Sequence, residues 1–337
     1  MHRLLSCAIW LGALSMIVQG RSPASIGIVG NPLDVVRITT GGTVLMGGGT
    51  DVDEIFQWMI QKAGGGDFVV IRATGTDAYN SYIYGLGVVD SVETLLINSK
   101  SLANNAEVVA TLRLAEAVFI AGGDQANYVN FWKGTQVEEA LNWLRNVKEI
   151  PIGGTSAGCA ILGRTYFSAL SGTVTSDEAL QDPYNKYMTF GRNDFLDQPY
   201  LSDVITDTHF NDPDRRGRLV TFLARMNQDY EVLARGIGLD ESTAVCIESN
   251  GTGRVFGSGT AFFLNQNGRS TTPETCVKGT PLDWYRSRQA VAVYKINGDK
   301  KGSGTFDLTT WNGGSGGVSQ YYYVDHGRLG ISSESKK

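Results

Sequence analysis

The sequence predicts an α/β fold of three layers, in which a mostly parallel sheet is covered by helices and followed by a β-rich ending. Three observations carry this. Apolar runs of strand length that end in glycine alternate with helical stretches through the first half of the chain. The apolar run Ile150-Pro151-Ile152 passes through Gly153-Gly154-Thr155-Ser156-Ala157-Gly158 into the helix-compatible Cys159-Ala160-Ile161-Leu162, and from Arg254 onward only short β-type runs and glycine turns remain. Alternating strands and helices imply crossover connections, which set the strands parallel and gather functional groups at their carboxyl ends.

In chain order, the first run is Thr43 to Met46, which stops at Gly47-Gly48-Gly49 before an amphipathic helix from Asp51 to Ala63. Phe68 to Ile71 ends at Ala73-Thr74-Gly75. Val88 to Val92 and Thr94 to Asn98 read as strands ahead of a helical stretch from Ser101 to Ala115, and Ala117 to Ile120 ends at Gly122-Gly123 before a helix from Gln136 to Val147. Two further strands end at Asp207-Thr208-His209-Phe210 and at Gly236 to Glu241. The ending holds Ala261 to Leu264, Ala290 to Ile296, Thr305 to Leu308 and Tyr321 to Val324, so the expected organisation is a leader over 1–20, a catalytic unit over 21–253 and a β-rich extension over 254–337 packed on it.

Composition narrows the function classes. With 42% hydrophobic and 19% charged residues, the chain has ordinary globular values, and its net charge of −5 leaves no electrostatic footprint for nucleic acid or an anionic membrane. A small or peptidic partner fits better, and a homodimer is compatible with it. Arg3, the apolar stretch from Leu4 to Val18 and the small residue Gly20 have the order of an export signal cleaved near Arg21. Export would leave three of the four cysteines, because Cys7 departs with the leader. Cys159 is expected as a packed free thiol, and Cys246 and Cys276 as the candidate disulfide of an oxidising compartment. Asn250-Gly251-Thr252 is an acceptor sequence for glycosylation in a eukaryotic source.

Gly154-Thr155-Ser156-Ala157-Gly158 has the Gly-x-Ser-x-Gly pattern, whose small residues let the backbone turn sharply and hold a serine hydroxyl out at the sheet edge. The Gly122-Gly123 turn offers backbone N–H groups that, with that of Ala157, would hold an oxyanion. Gly47-Gly48-Gly49 lacks the Gly-Lys-Ser/Thr ending and the full Gly-x-Gly-x-x-Gly spacing, which argues against nucleotide binding. Of the three histidines, His2 belongs to the leader and His326 to the tail, so His209 at the end of an apolar run is the expected base. The carboxylate that orients it is Glu241 or Glu178, with Glu241 preferred because it follows a strand end.

Gly-Gly-Asp-Gln at 122 to 125, Gly-Gly-Thr-Ser-Ala-Gly at 153 to 158, Asp207-Thr208-His209-Phe210, Arg215-Arg216-Gly217-Arg218-Leu219 and Gly236 to Glu241 together resemble the cyanophycinase and aspartyl-dipeptidase family of serine peptidases, peptidase family S51. The resemblance implies a fold like that of class I glutamine amidotransferases, which is flavodoxin-like, with Ser156 as nucleophile, His209 as base and Glu241 or Glu178 as the acid. It also implies exopeptidase chemistry on aspartyl or β-aspartyl units. Thr208 stands where the family has glutamine and Pro213 where it has an arginine, which puts cyanophycin as substrate in doubt.

The expected reaction is acyl transfer through Ser156, with Gly122, Gly123 and Ala157 around the oxyanion and no cofactor. The sequence has no His-x-x-x-His and no clustered cysteines, which speaks against a metal centre. Asp124, Gln125, Asp207, Arg215 and Arg218 are the expected substrate-binding residues, the two arginines clamping the carboxylate of a small peptide or polymer end. An esterase of the α/β-hydrolase type would use His326 instead, and a catalytically silent binding protein is the third reading.

Overall fold

The computed structural model describes residues 22–268 and 272–333. The leader expected over residues 1–20 lies outside them. Two large sheets organise the chain. The larger one runs, edge to edge, Ser25–Gly30, Ser91–Leu96, Asp67–Arg72, Ala117–Ile120, Pro151–Thr155, Gly42–Met46, Thr243–Ile247, Thr252–Gly257, Gly304–Asp307 and Gly314–Ser315. The five strands from Ser91–Leu96 to Gly42–Met46 are parallel, and those on either side of this block are antiparallel.

The central strands are buried on both faces, which is why they read as unbroken apolar runs. Alternate residues face opposite ways. Val44, Met46 and Phe119 pack with Ile55, Phe56 and Met59 of the helix Asp53–Lys62, whereas Leu45, Ile120 and Ile152 pack with Leu141 and Leu144 of the helix Gln136–Asn146. Helices therefore cover both faces, and the three-layer α/β/α arrangement follows.

The second sheet runs Arg328–Ser333, Gly317–Asp325, Val291–Asn297, Thr260–Gln266, Arg235–Leu239 and Val204–Thr208, and only its last two strands are parallel. One face takes Leu219, Phe222 and Leu223 of the helix Arg216–Tyr230. The other joins the first sheet's core, with Phe263 stacked on Phe306 at 4.0 Å between ring centroids. The β-rich ending is present, and its strands enter both sheets edge to edge.

Several elements were not legible in the sequence, three of them early in the chain or next to the Gly122-Gly123 turn. Ser25–Gly30 is a glycine-containing edge strand, and Ala78–Tyr84 and Gln125–Trp132 are short helices rich in aromatic and asparagine residues, which have modest helix propensity. The stretch read as one helix from Ser101 to Ala115 divides into Lys100–Ala103 and Ala106–Leu114, because the Asn105 side chain accepts from Glu107 N and Val108 N and starts the second helix. The two strands expected between Val88 and Asn98 are one, Ser91–Leu96.

The expected Cys246–Cys276 disulfide is not formed. Cys246 lies in the apolar layer under the helix Asp53–Lys62 and Cys276 in the layer under the helix Arg216–Tyr230, and both are free, as is the buried Cys159. No helix among the described residues is long and apolar enough to cross a membrane.

Candidate active site

Ser156 sits between the strand Pro151–Thr155 and the short helix Ala157–Ala160 with φ 52° and ψ −120°, a conformation that costs a non-glycine residue energy. Its glycine neighbours make the turn possible. A Cβ on Gly154 would lie 2.5 Å from the Gly158 carbonyl, and one on Gly158 would lie 2.2 Å from the Ile120 carbonyl oxygen.

The serine Oγ is 2.8 Å from His209 Nε2, and His209 Nδ1 is 2.5 Å from Glu241 Oε1. A neutral imidazole that donates from Nδ1 to the carboxylate leaves Nε2 to accept from the hydroxyl, so the three side chains form a continuous relay. Each comes from a strand end: Ser156 from the first sheet, His209 and Glu241 from the parallel pair Val204–Thr208 and Arg235–Leu239 of the second.

Residues 46 to 48 fasten them together. The Met46 carbonyl accepts from Ser156 N at 3.0 Å, the Gly47 carbonyl from His209 N at 2.8 Å, and the Gly48 carbonyl from Ser242 N at 2.9 Å. The side chains have equally little room. A Cβ on Gly48 would lie 2.4 Å from His209 Cε1, and one on Gly49 would lie 2.8 Å from Glu241 Cβ. The glycine run is thus a backbone seat for the histidine and the glutamate, a role with no local signature in the sequence. Its missing signal was the long-range partner at 209 and 241.

A cavity of about 390 Å³ opens beside Ser156, between the Gly123-Asp124-Gln125 turn on one side and Phe167, Thr173 and Arg215 on the other. Gly122 packs on the serine, since a Cβ there would be 3.4 Å from Ser156 Cβ. Gly123 and Ala157 line the cavity, and their N–H groups have no protein acceptor among the described residues. Asp124 caps the helix Gln125–Trp132, its Oδ1 accepting from Ala126 N at 2.9 Å.

The two arginines differ. Arg218 is 4% exposed and bidentate to Asp207 at 2.8 and 2.5 Å, with further bonds to Thr173 Oγ1 and the Val174 carbonyl. Phe167 and Phe222 flank its guanidinium at 5.4 and 5.7 Å. Arg218 and Asp207 therefore neutralise each other while both still line the cavity, so neither stands there as an unpaired charge of the kind the sequence suggested. Arg215 has no such partner: it donates to the Thr208 carbonyl at 2.7 Å and otherwise faces the cavity. Burial, and then the neighbouring Arg218 charge, push its pKa down.

Glu178 is also corrected. Its carboxylate accepts from Thr175 N and Thr175 Oγ1 in a capping box at the helix Ser176–Gln181, and those bonds hold its pKa below the ordinary glutamate value. The group that meets His209 is Glu241. His326 stands on an exposed turn, where its Nδ1 is 2.7 Å from Asp325 Oδ1. Burial pushes the Cys159 thiol up to about 12, so Cys159 is no competing nucleophile.

Residues 76–254 match the family model of Peptidase family S51. A cyanophycinase of Nostoc sp. (strain PCC 7120 / SAG 25.82 / UTEX 2576) is 27% identical over 206 residues, covering 61% of this chain and 64% of the relative, so the chain spans just under two-thirds of that protein's length. A cyanophycinase of Thermosynechococcus vestitus is 27% identical over 244 residues, 70% of each chain. The crystal structure of a peptidase from an acI-B1 Actinobacterium superposes with TM-score 0.49 and 16% identity, over 73% of this chain and 93% of that one. The family match spans more than half of the sequence and includes the serine, the histidine and the glutamate brought together here, and the chain belongs to peptidase family S51.

Proposed function

We propose that this chain is a serine-type exopeptidase that hydrolyses the amide bond of aspartyl or β-aspartyl peptides through an acyl-enzyme on Ser156. The observation that carries the reading is the Ser156–His209–Glu241 relay at the mouth of a cavity holding one uncommitted arginine. His209 takes the hydroxyl proton as Oγ attacks the carbonyl, and Glu241 stabilises the imidazolium that results. The N–H groups of Gly123 and Ala157 receive the oxyanion, protonated His209 releases the amine, and water clears the ester. Arg215 supplies a charge-assisted bond to the carboxylate of the acyl unit, with Asp124 and Gln125 across the cavity for its amine. The leader-like composition of residues 1–20 supports action after export.

The test is to incubate wild type and Ser156→Ala with α-aspartyl and β-aspartyl dipeptides, cyanophycin and a fluorophosphonate. Wild-type labelling at Ser156, and a loss on the order of 10⁶ in kcat on replacing it, are expected. A variant that keeps a tenth of the wild-type rate would sink the reading.

A further inference from the structure

We infer that Tyr128 is a positioning residue for the oxyanion site, a role that rests on the acyl-transfer reading above. Its ring is 1% exposed and its hydroxyl lies 2.7 Å from the Ala121 carbonyl oxygen and 3.0 Å from that of Gly122. One proton is thus shared between two successive carbonyls of the turn that leads to Gly123. Burial raises the phenol pKa, which keeps the hydroxyl a donor over the whole working range of a peptidase.

The turn needs such a brace. Gly123 has φ 154°, and the Ala121-Gly122 carbonyls lie just past the end of the strand Ala117–Ile120, beyond its ladder of strand partners. The phenol closes on the turn from below, since a Cβ on Gly123 would lie 3.1 Å from the Tyr128 hydroxyl oxygen. The ring itself is fixed: it stacks on Trp132 at 4.3 Å and 14°, and Trp132 Nε1 donates to the Ile97 carbonyl at 2.8 Å. A strut thus runs from the residue after the strand Ser91–Leu96, which is next but one to Ala117–Ile120 in the sheet, to the peptide that packs against Ser156. Tyr128 does not itself line the cavity, so it acts on the site through the Ala121-Gly122-Gly123 turn that it holds.

Removing one oxyanion donor outright costs about 10²–10³ in rate, so loosening its support should cost about tenfold to a hundredfold. The probe is a fluorophosphonate, whose tetrahedral adduct places an oxygen where the oxyanion forms. In Tyr128→Phe, which keeps the stacking and loses only the hydroxyl, the maximal labelling rate should fall by about that factor while the half-saturating concentration and the pH profile of labelling stay at wild-type values, and the melting temperature should fall by only a few degrees for the carbonyls left unpaired. Tyr128→Leu, which also loses the stacking, should label no faster. An unchanged rate in Tyr128→Phe overturns the strut. So does a shifted pH profile, which would mean that the relay rather than the turn had moved. If the wild type itself is not labelled at Ser156, the acyl-transfer reading falls and the strut with it.

Discussion

The His209 imidazole lies so close over Gly48 that no side chain fits between them: a Cβ would come within 2.4 Å of Cε1 and 2.5 Å of Nε2. Gly48 also has φ 98°, a conformation that L side chains rarely adopt, so the site demands glycine twice over. Gly48→Ala must displace the ring from Ser156 Oγ. A misplacement of about 1 Å can cost about 10² in rate, and we expect at least that loss in kcat with the circular dichroism of the wild type retained. Full activity in this variant would show that the base is not held against this glycine.

Glu241 and Glu178 are separable by neutralisation. Glu241→Gln should lower kcat by about 10⁴, because the amide cannot stabilise the imidazolium that Ser156 attack creates. Glu178→Gln removes only part of a helix cap and should leave kcat near the wild-type value. The opposite ranking in steady-state kinetics would place the acid at 178.

Arg215 and Arg218 should fail in different ways. Arg215→Met should raise KM for acidic dipeptides and spare a neutral amide, the pattern of lost binding rather than lost chemistry. Arg218→Met leaves Asp207 buried and unpaired, which typically costs about 3–5 kcal/mol, and should show in urea unfolding before any kinetic measurement. Equal stabilities for the two variants would contradict the assignment.

Asp240 precedes Glu241 and is 6% exposed, with Oδ2 accepting from Thr260 N at 3.1 Å and Oδ1 without a partner among the described residues. Burial raises its pKa, so the folded state holds the proton more tightly than the unfolded chain. Its contribution to stability is then fully present below the ordinary aspartate value near 3.9 and is lost as pH rises through the raised folded value. Asp240→Asn removes that titration. Relative to wild type, the variant should be more stable at pH 7 than at pH 3.5, as measured by urea midpoints at the two values.

The short-range signals were legible. Ser156 declared itself through Gly154 and Gly158, whose spacing is dictated by backbone contacts a few residues away. Scarcity of histidine pointed to His209, and the strand-end position favoured Glu241 over Glu178. What the sequence hid was pairing at long range. Arg218 looks as available as Arg215 until Asp207 is seen eleven residues earlier on an adjoining strand, and Cys246 and Cys276 look pairable until they fall in separate apolar layers. The Gly47-Gly48-Gly49 run was visible, but its purpose depends on His209 and Glu241, far along the chain.

The three consecutive carbonyls at 46, 47 and 48 have a consequence for how this chemistry can arise or disappear. They tie Ser156, at the edge of the first sheet, to two loops of the second, so the relay of Ser156, His209 and Glu241 belongs to a seam and to neither side of it. A fragment bearing the elbow would hold a serine without a base, and one bearing the other half would hold a base without a target. No half of the molecule inherits a weakened version of the whole. The spacing of the relay is therefore set by how the two sheets are joined at residues 46 to 48 as much as by the three side chains themselves.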